Sequence, residues 1–269
     1  MNKRLLVAIG LIAVTLIIFL GLNLKKLKLP FAVNKGKSVS SLKSLAEAEE
    51  LGGRLLQARS IYQKLISDYP DSRSLIDWQK KAEGLNIRLL FSSTVTPKSI
   101  LYEIKPGDTL EKIAKEFKTT AELIMKSNNL AGEKIIPGRR LKVWSGAFNI
   151  LVDKSQNTLL LKSDEEIIKA YIVSTGLNNS TPVGNFKIVN KLTNPTWFKA
   201  GAIVPPASPE NILGTRWLGI DVPGYGIHGT TDPLSLGKQA TQGCVRMSNT
   251  EVEELYAIVP LGTEVTIID

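Results

Sequence analysis

Hydrophobic positions change their rhythm three times along this chain. Residues 5–22 are an uncharged apolar run of 18 residues, which as a helix would span roughly 27 Å at about 1.5 Å per residue and so just cross a bilayer. Residues 30–45, with Pro30, Gly36 and several Ser and Lys, predict a solvated linker. Between about 41 and 90 the residues Leu45, Leu51, Leu55, Leu56, Ile61, Tyr62, Leu65 and Ile66 recur at near-helical spacing and Pro70 ends the run. That spacing predicts a helical hairpin, with Leu75, Ile76 and Trp78 starting a third, capping helix.

From 100 to 144 the pattern predicts strand, helix, helix, strand. Ile100 to Ile104 suits a short strand and Pro106-Gly107 a turn. Asp108 with Glu111, and Thr119 with Glu122, are the expected caps of two helices. Asn128-Asn129 ends the second helix and Pro137-Gly138 turns into a strand at Leu141 to Val143. From 147 onward the chain reads as mostly strand, in short runs at Phe148 to Val152, Thr158 to Leu161, Ala170 to Ser174, Phe186 to Val189, Trp217 to Ile220 and Thr263 to Ile268. Glu251 to Ile258 is the one helix expected there, entered through Ser248-Asn249, either of which can cap it.

Charge and cysteine usage narrow the classes of function. The net charge of +9 suggests nucleic acid, but residues 1–46 hold eight Lys or Arg and no acid, leaving 26 basic against 25 acidic residues in the rest. The basicity lies beside the apolar run, where it suits anionic lipid head groups or polymer, and no basic, aromatic-studded face marks an RNA-binding module. Lys3 and Arg4 precede the run, and no clean small-x-small cleavage site follows it. An uncleaved anchor is expected, with Lys25, Lys26 and Lys28 beyond it leaving the orientation open. One cysteine and one histidine cannot build a four-ligand zinc site, so no metal or other cofactor is implied.

That cysteine and histidine lie 16 residues apart, in Ile227-His228-Gly229-Thr230 and Thr241-Gln242-Gly243-Cys244-Val245-Arg246-Met247. A thiol becomes a useful nucleophile when a neighbouring imidazole takes its proton. Gly243 permits close backbone approach, and the amides of Gly243 and Cys244 are candidates to face an oxyanion. Arg246 can favour a thiolate or hold a carboxylate. The bland alternative is a buried, inert pair, since spacing alone does not establish contact. Gly224-Tyr225-Gly226-Ile227-His228-Gly229 formally matches a dinucleotide fingerprint, but Pro223, Pro233 and Gly237 deny it a helix; it is expected to be a glycine-rich active-site loop.

Two resemblances add to this. Tyr102, Pro106-Gly107-Asp108-Thr109-Leu110, Ile113-Ala114, Phe117, Asn129-Leu130 and Ile136-Pro137-Gly138 resemble a LysM domain. The resemblance implies binding of N-acetylglucosamine-containing polymer in a groove lined by Gly107, Asp108, Thr109, Leu110, Ile135, Ile136 and Pro137. Ser180-Thr181-Pro182-Val183-Gly184, Trp197, Leu213-Gly214-Thr215-Arg216-Trp217, Tyr225 to Thr230 and Gly243 to Asn249 resemble a YkuD-type L,D-transpeptidase. That implies Cys244 as nucleophile, His228 as base, Gly229 as the carbonyl that orients it, and Gly243 and Arg246 as further catalytic candidates. Tyr225, Thr241, Gln242, Trp197 and Asn249 are the implied substrate contacts. Many members carry Ser-His-Gly-Cys where this chain has Thr241-Gln242-Gly243-Cys244, so one histidine that is not the base is missing. Ala58, Tyr62, Leu65 and Pro70 resemble the second helix of one tetratricopeptide (TPR) repeat.

The expected architecture is multidomain: a transmembrane anchor at 1–24, a linker at 25–40, a TPR-like helical segment at 41–91, a βααβ LysM domain at 100–144 and a mostly-β catalytic domain at 147–269. The implied function is a peptidoglycan L,D-transpeptidase that joins the third residues of two stem peptides through a cysteine acyl-enzyme and accepts carbapenems. The alternatives are an L,D-carboxypeptidase, a transferase that attaches an envelope protein, and last a non-enzymatic wall-binding scaffold. The implied partners are stem peptides, glycan strands and the membrane, with the helical segment either a spacer or a protein-binding repeat. The substrate's location would put the catalytic domain outside the cell membrane and the N-terminus inside.

Overall fold

The computed structural model describes residues 38–199, 201–206 and 208–269. The apolar run at 5–22 and nearly all of the expected linker lie outside the described residues. Among those described, no helix is long and apolar enough to cross a membrane.

Three helices come first, α1 (Val39–Leu51), α2 (Leu55–Asp68) and α3 (Leu75–Leu90). Helix α1 starts inside the expected linker because the Ser38 hydroxyl accepts from Ser41 N and satisfies a first-turn amide. The helical stripe then buries Leu42, Ala58, Tyr62, Leu65, Trp78 and Leu85 in one small core. Leu51, read as part of that stripe, is 90 % exposed because it is the last residue of its helix. Helix α3 has a second apolar face: Ile87 and Leu90 belong to the core of the following β domain.

Next come β1 (Ser99–Glu103), α4 (Leu110–Glu116), α5 (Ala121–Ser127) and β2 (Arg140–Trp144), the strands antiparallel, in the order expected. The caps sit one residue later than expected. Thr109 accepts from Lys112 N and Thr120 from Leu123 N. Asp108 closes the preceding turn instead, accepting from Lys105 N at 2.7 Å and from the Tyr102 hydroxyl at 2.9 Å. Those donors hold its carboxyl below the usual range. Thr119 is buried and does not cap.

The rest of the chain supplies β3 (Phe148–Asp153), β4 (Thr158–Ser163), β5 (Glu166–Ile172), β6 (Thr175–Gly176), β7 (Gly184–Thr193), β8 (Trp197–Lys199), β9 (Ala202–Val204), β10 (Arg216–Ile220), β11 (Gly226–His228), β12 (Gln239–Thr241) and β13 (Val245–Arg246). A helix, α6 (Asn249–Ile258), and a last strand, β14 (Glu264–Ile268), complete it. Eight strands make one mixed sheet in the order β13-β11-β10-β7-β14-β3-β4-β5. Val152, Leu161, Leu218 and Val265 meet Val252, Leu255 and Ile258 of α6 in its core. Of the two candidate caps, Ser248 caps α6 by accepting from Glu251 N. The strands that the pattern missed, β6, β8, β9, β11, β12 and β13, have two or three residues each, too few to show alternation. His228 therefore ends a buried strand rather than lying in a loop.

Strand β5 is an outer strand, and α3 covers it. Asn86 Nδ2 donates to Ile168 O at 2.9 Å, and Ala170 N donates to Glu83 Oε1 at 3.3 Å. Side chains thus occupy backbone groups that would otherwise invite a foreign strand. The buried Lys142 of β2 donates to Leu89 O and Ser92 O at the end of α3, a cation at a helix C-terminus. Trp144 stacks on Phe148, Leu123 joins the β-domain core, and the Thr120 hydroxyl donates to the Ala257 carbonyl. The three units therefore share packed interfaces.

Burial pushes the Glu83 carboxyl up to about 7, against the opposing pull of Ala170 N and Lys169. A raised carboxyl contributes stability that is complete below its unfolded value of 4.5 and lost as pH rises through about 7. Glu83→Gln keeps an acceptor for Ala170 N without the charge. In urea unfolding it should match the wild type near pH 4.5 and exceed it by roughly 3 kcal/mol at pH 8.

Candidate active site

Strands β11 and β13 run parallel, with Ile227 opposite Val245 and His228 opposite Arg246. That register carries Cys244, the residue before β13, to the start of β11. There the Gly226 N–H favours its thiolate, while Sγ–H points at Gly224 O at 3.5 Å. The next strand places Trp217 opposite His228, and the two rings stack at 5.9 Å with 19° between planes. A Cβ on Gly226 would come within 2.8 Å of the Trp217 ring. Glycine at that position is thus what lets the indole lie against the sheet beside the imidazole.

His228 is 2 % exposed and its Nδ1 lies 2.7 Å from Gly229 O. A carbonyl can only accept, so Nδ1 carries the proton and Nε2 keeps its lone pair. Burial pushes the imidazole down to about 4; the Gly229 and Leu213 carbonyls oppose that, and the Arg246 charge adds to it. Burial also raises the Cys244 thiol, outweighing the Gly226 amide and Arg246, which pull it down. The resting pair at neutral pH is thus a neutral thiol and a neutral imidazole. As expected, the Arg246 charge favours the thiolate, and desolvation exceeds it.

Arg246 is held by a hydrogen bond from Nη1 to Ser235 Oγ at 2.9 Å, with Asp232 near enough to favour its charge. Its Nε is buried and has no hydrogen-bond partner among the described residues. Gly243 has φ +133°, and a Cβ there would lie 2.6 Å from the Tyr225 ring. Its amide was expected at the oxyanion, but it donates to Thr241 Oγ1 at 3.1 Å. Thr241 Oγ1 in turn donates to Cys244 O at 2.6 Å. The Thr241 hydroxyl, expected to meet substrate, is therefore the clasp of the turn that carries Cys244.

His228, Cys244 and Arg246 line one cavity of about 940 Å³, together with Trp197, Tyr225, Thr241 and Gln242. A volume of that order suits a peptide-sized ligand. Trp217 and Leu213, which the sequence offered within a family motif but without a site role, and Asn190, which it did not offer, line it too. Gly229, Gly243 and Asn249 lie outside its lining. Asn249, expected to touch substrate, uses its amide on Thr215 N, Thr230 N and Thr230 O.

In the βααβ unit, Gly107, Thr109, Ile136 and Pro137 are exposed and Asp108 and Ile135 half-buried. Gly138 N donates to Ile104 O and holds the two loops together. Leu110 is corrected as a groove residue, because it is 0 % exposed and packs into that unit's own core.

Comparison with known proteins agrees with these two folds. The model of the YkuD L,D-transpeptidase catalytic domain matches residues 147–267, and that of the LysM domain matches 102–144. A Bacillus licheniformis protein named L,D-transpeptidase YkuD is 37 % identical over 177 residues, covering 62 % of this chain and 98 % of that protein. Its Bacillus subtilis namesake is 35 % identical over 175 residues, with the same two coverages. The L,D-transpeptidase named YqjB of Bacillus subtilis is 40 % identical over 126 residues, 45 % of this chain and 70 % of that one. With nearly the whole length of two such relatives matched, the chain belongs to the YkuD family of L,D-transpeptidases and carries a LysM domain in front of its catalytic domain.

Proposed function

We propose that this L,D-transpeptidase crosslinks peptidoglycan through an acyl-enzyme on Cys244, with His228 as the base. The observation that carries the reading is the parallel register of β11 and β13, which brings the only thiol and the only imidazole of the chain to one cavity. The donor is a stem tetrapeptide. As Sγ attacks the carbonyl carbon of its third residue, the thiol proton passes to Nε2 of His228. The bond to the terminal D-alanine breaks, and His228 returns the proton to the departing amine. The amine of a second stem then attacks the thioester carbonyl, its proton passes to His228, and the C–S bond breaks to regenerate the thiol. With the Gly243 amide engaged by Thr241, we assign the oxyanion to the Cys244 amide. Arg246 Nε, buried and without a partner among the described residues, is assigned a carboxylate of the stem.

In the same reading the LysM unit raises the local concentration of glycan. Residues 41–91 act as one TPR-like unit that braces β5, and residues 1–24 hold the protein in the membrane with the enzyme outside. Fractionation that returned a soluble protein beginning after residue 20 would remove the anchor from this picture.

Intact mass after incubation with a carbapenem or a disaccharide-tetrapeptide tests the chemistry. The wild type should form an adduct and release stem dimers; tripeptides alone would mean that water resolves the acyl-enzyme. Cys244→Ala should form none, and an adduct on the folded variant overturns the mechanism. His228→Ala should acylate about 10²- to 10⁴-fold more slowly at pH 7. It should recover only above the ordinary thiol range of about 8.5, because burial raises this thiol. Wild-type acylation should fall as pH drops through about 4, where the imidazole protonates; a limb near 6.5 would contradict a buried base.

Wall binding is tested at Ile136, which is 56 % exposed. Ile136→Glu should weaken pull-down by insoluble peptidoglycan at least about tenfold, the order expected when a buried contact is replaced by a charge. Turnover of soluble stems should be unchanged. Undiminished pull-down would remove this loop from the polymer site.

A further inference from the structure

We infer that Asn249 is a positioning residue that holds His228 in its base-competent tautomer through the peptide joining Gly229 to Thr230. That peptide faces both side chains. Its carbonyl, Gly229 O, accepts from His228 Nδ1 at 2.7 Å, and its amide, Thr230 N, donates to Asn249 Oδ1 at 3.1 Å. Asn249 Nδ2 returns a hydrogen bond to Thr230 O at 2.9 Å, so the side-chain amide grips Thr230 at both of its backbone groups. Oδ1 also accepts from Thr215 N at 3.2 Å. Leu213, two residues before Thr215, presents the second carbonyl that reaches the imidazole. One side chain therefore ties together the two backbone segments whose carbonyls face His228.

The surroundings are shaped for that side chain. A Cβ on Gly229 or on Gly214 would come within 2.2 Å of Asn249 Oδ1, and Gly214 has φ +65°. Both neighbours are glycine where the amide must enter. Helix capping does not explain Asn249, because Ser248 performs it, and substrate contact does not, because Asn249 is absent from the cavity lining. Hydrogen bonds in series polarise one another. An amide held by Asn249 makes Gly229 O a better acceptor and fixes its direction, which keeps the proton on Nδ1 and leaves Nε2 free. The inference rests on His228 being the base.

The chain has a single histidine, so its ring nitrogens can be read without ambiguity. The full chain, purified without a polyhistidine tag and labelled with ¹⁵N-histidine, should show the Nδ1–H tautomer in two-bond ¹H–¹⁵N correlations. In Asn249→Ala the other tautomer should appear, and carbapenem acylation at pH 7 should slow at least about tenfold, a part of what a general base contributes. A folded Asn249→Ala that keeps the Nδ1–H tautomer and acylates at the wild-type rate overturns the inference, whatever its melting temperature. Asn249→Asp covers the case in which the alanine variant does not fold. It retains an acceptor for Thr230 N and places a negative charge behind the peptide, so the His228 titration midpoint should move upward from about 4; an unmoved midpoint also overturns the inference. A changed tautomer with undiminished acylation upholds the positioning role and removes His228 as the base.

Discussion

Two strands of two or three residues, 226–228 and 245–246, lie parallel at one side of the sheet, and without that pairing a histidine and a cysteine 16 residues apart would have no reason to meet. Such strands do not hold themselves in place. The pairing is secured from both sides. Met247 N donates to His228 O, and the next strand, β10, stacks Trp217 on the imidazole. On the outer side, Ser174 and Arg246 exchange backbone hydrogen bonds at 2.8 and 2.9 Å. The two side chains therefore sit at the margin of the sheet, lining a cavity, while their backbones are held as a central strand would be.

At the opposite margin the same problem has a different solution. Among the described residues strand β5 has no further strand beside it, and α3 answers with Asn86 and Glu83 on the backbone groups of Ile168 and Ala170. Because Lys142 of β2 caps α3 and Trp144 stacks on Phe148, the LysM unit is fixed through the helical segment as well as directly. Helix α3 thus links the LysM unit to the catalytic domain, and its two apolar faces are what this requires.

What could be read in the sequence divides along physical lines. Helices and strands of five residues or more left a periodic record, and Cys244 and His228, which line one cavity, both stand in motifs beside glycines. The short strands left none, which is why His228 was expected in a loop. Asp108 and Thr109, or Thr119 and Thr120, are adjacent polar residues, and only backbone direction decides which one caps. Leu110 lay in a motif, but a motif does not tell a groove residue from a core residue. Thr241 and Asn249 were recognised as belonging to the site. Their partners are backbone groups, on which the sequence is silent, so they could not be told from substrate contacts.

The electrostatics of the site follow from burial opposed by fixed partners. Desolvation disfavours both the imidazolium and the thiolate, and Arg246 adds to the first effect while opposing the second. The resting proton accordingly stays on sulfur, and its transfer must accompany formation of the bond from sulfur to carbon, when the developing charge passes to the oxyanion. This makes the direction of the Nε2 lone pair matter more than its basicity, since a weak base can act only from the correct geometry. The Gly229 carbonyl sets that direction, and the amide side chain of Asn249 behind it holds the carbonyl. Gln242, standing where many relatives have a histidine, is exposed at the rim of the cavity. It carries no titratable group, so under the proposed mechanism the proton transfer rests on His228 alone.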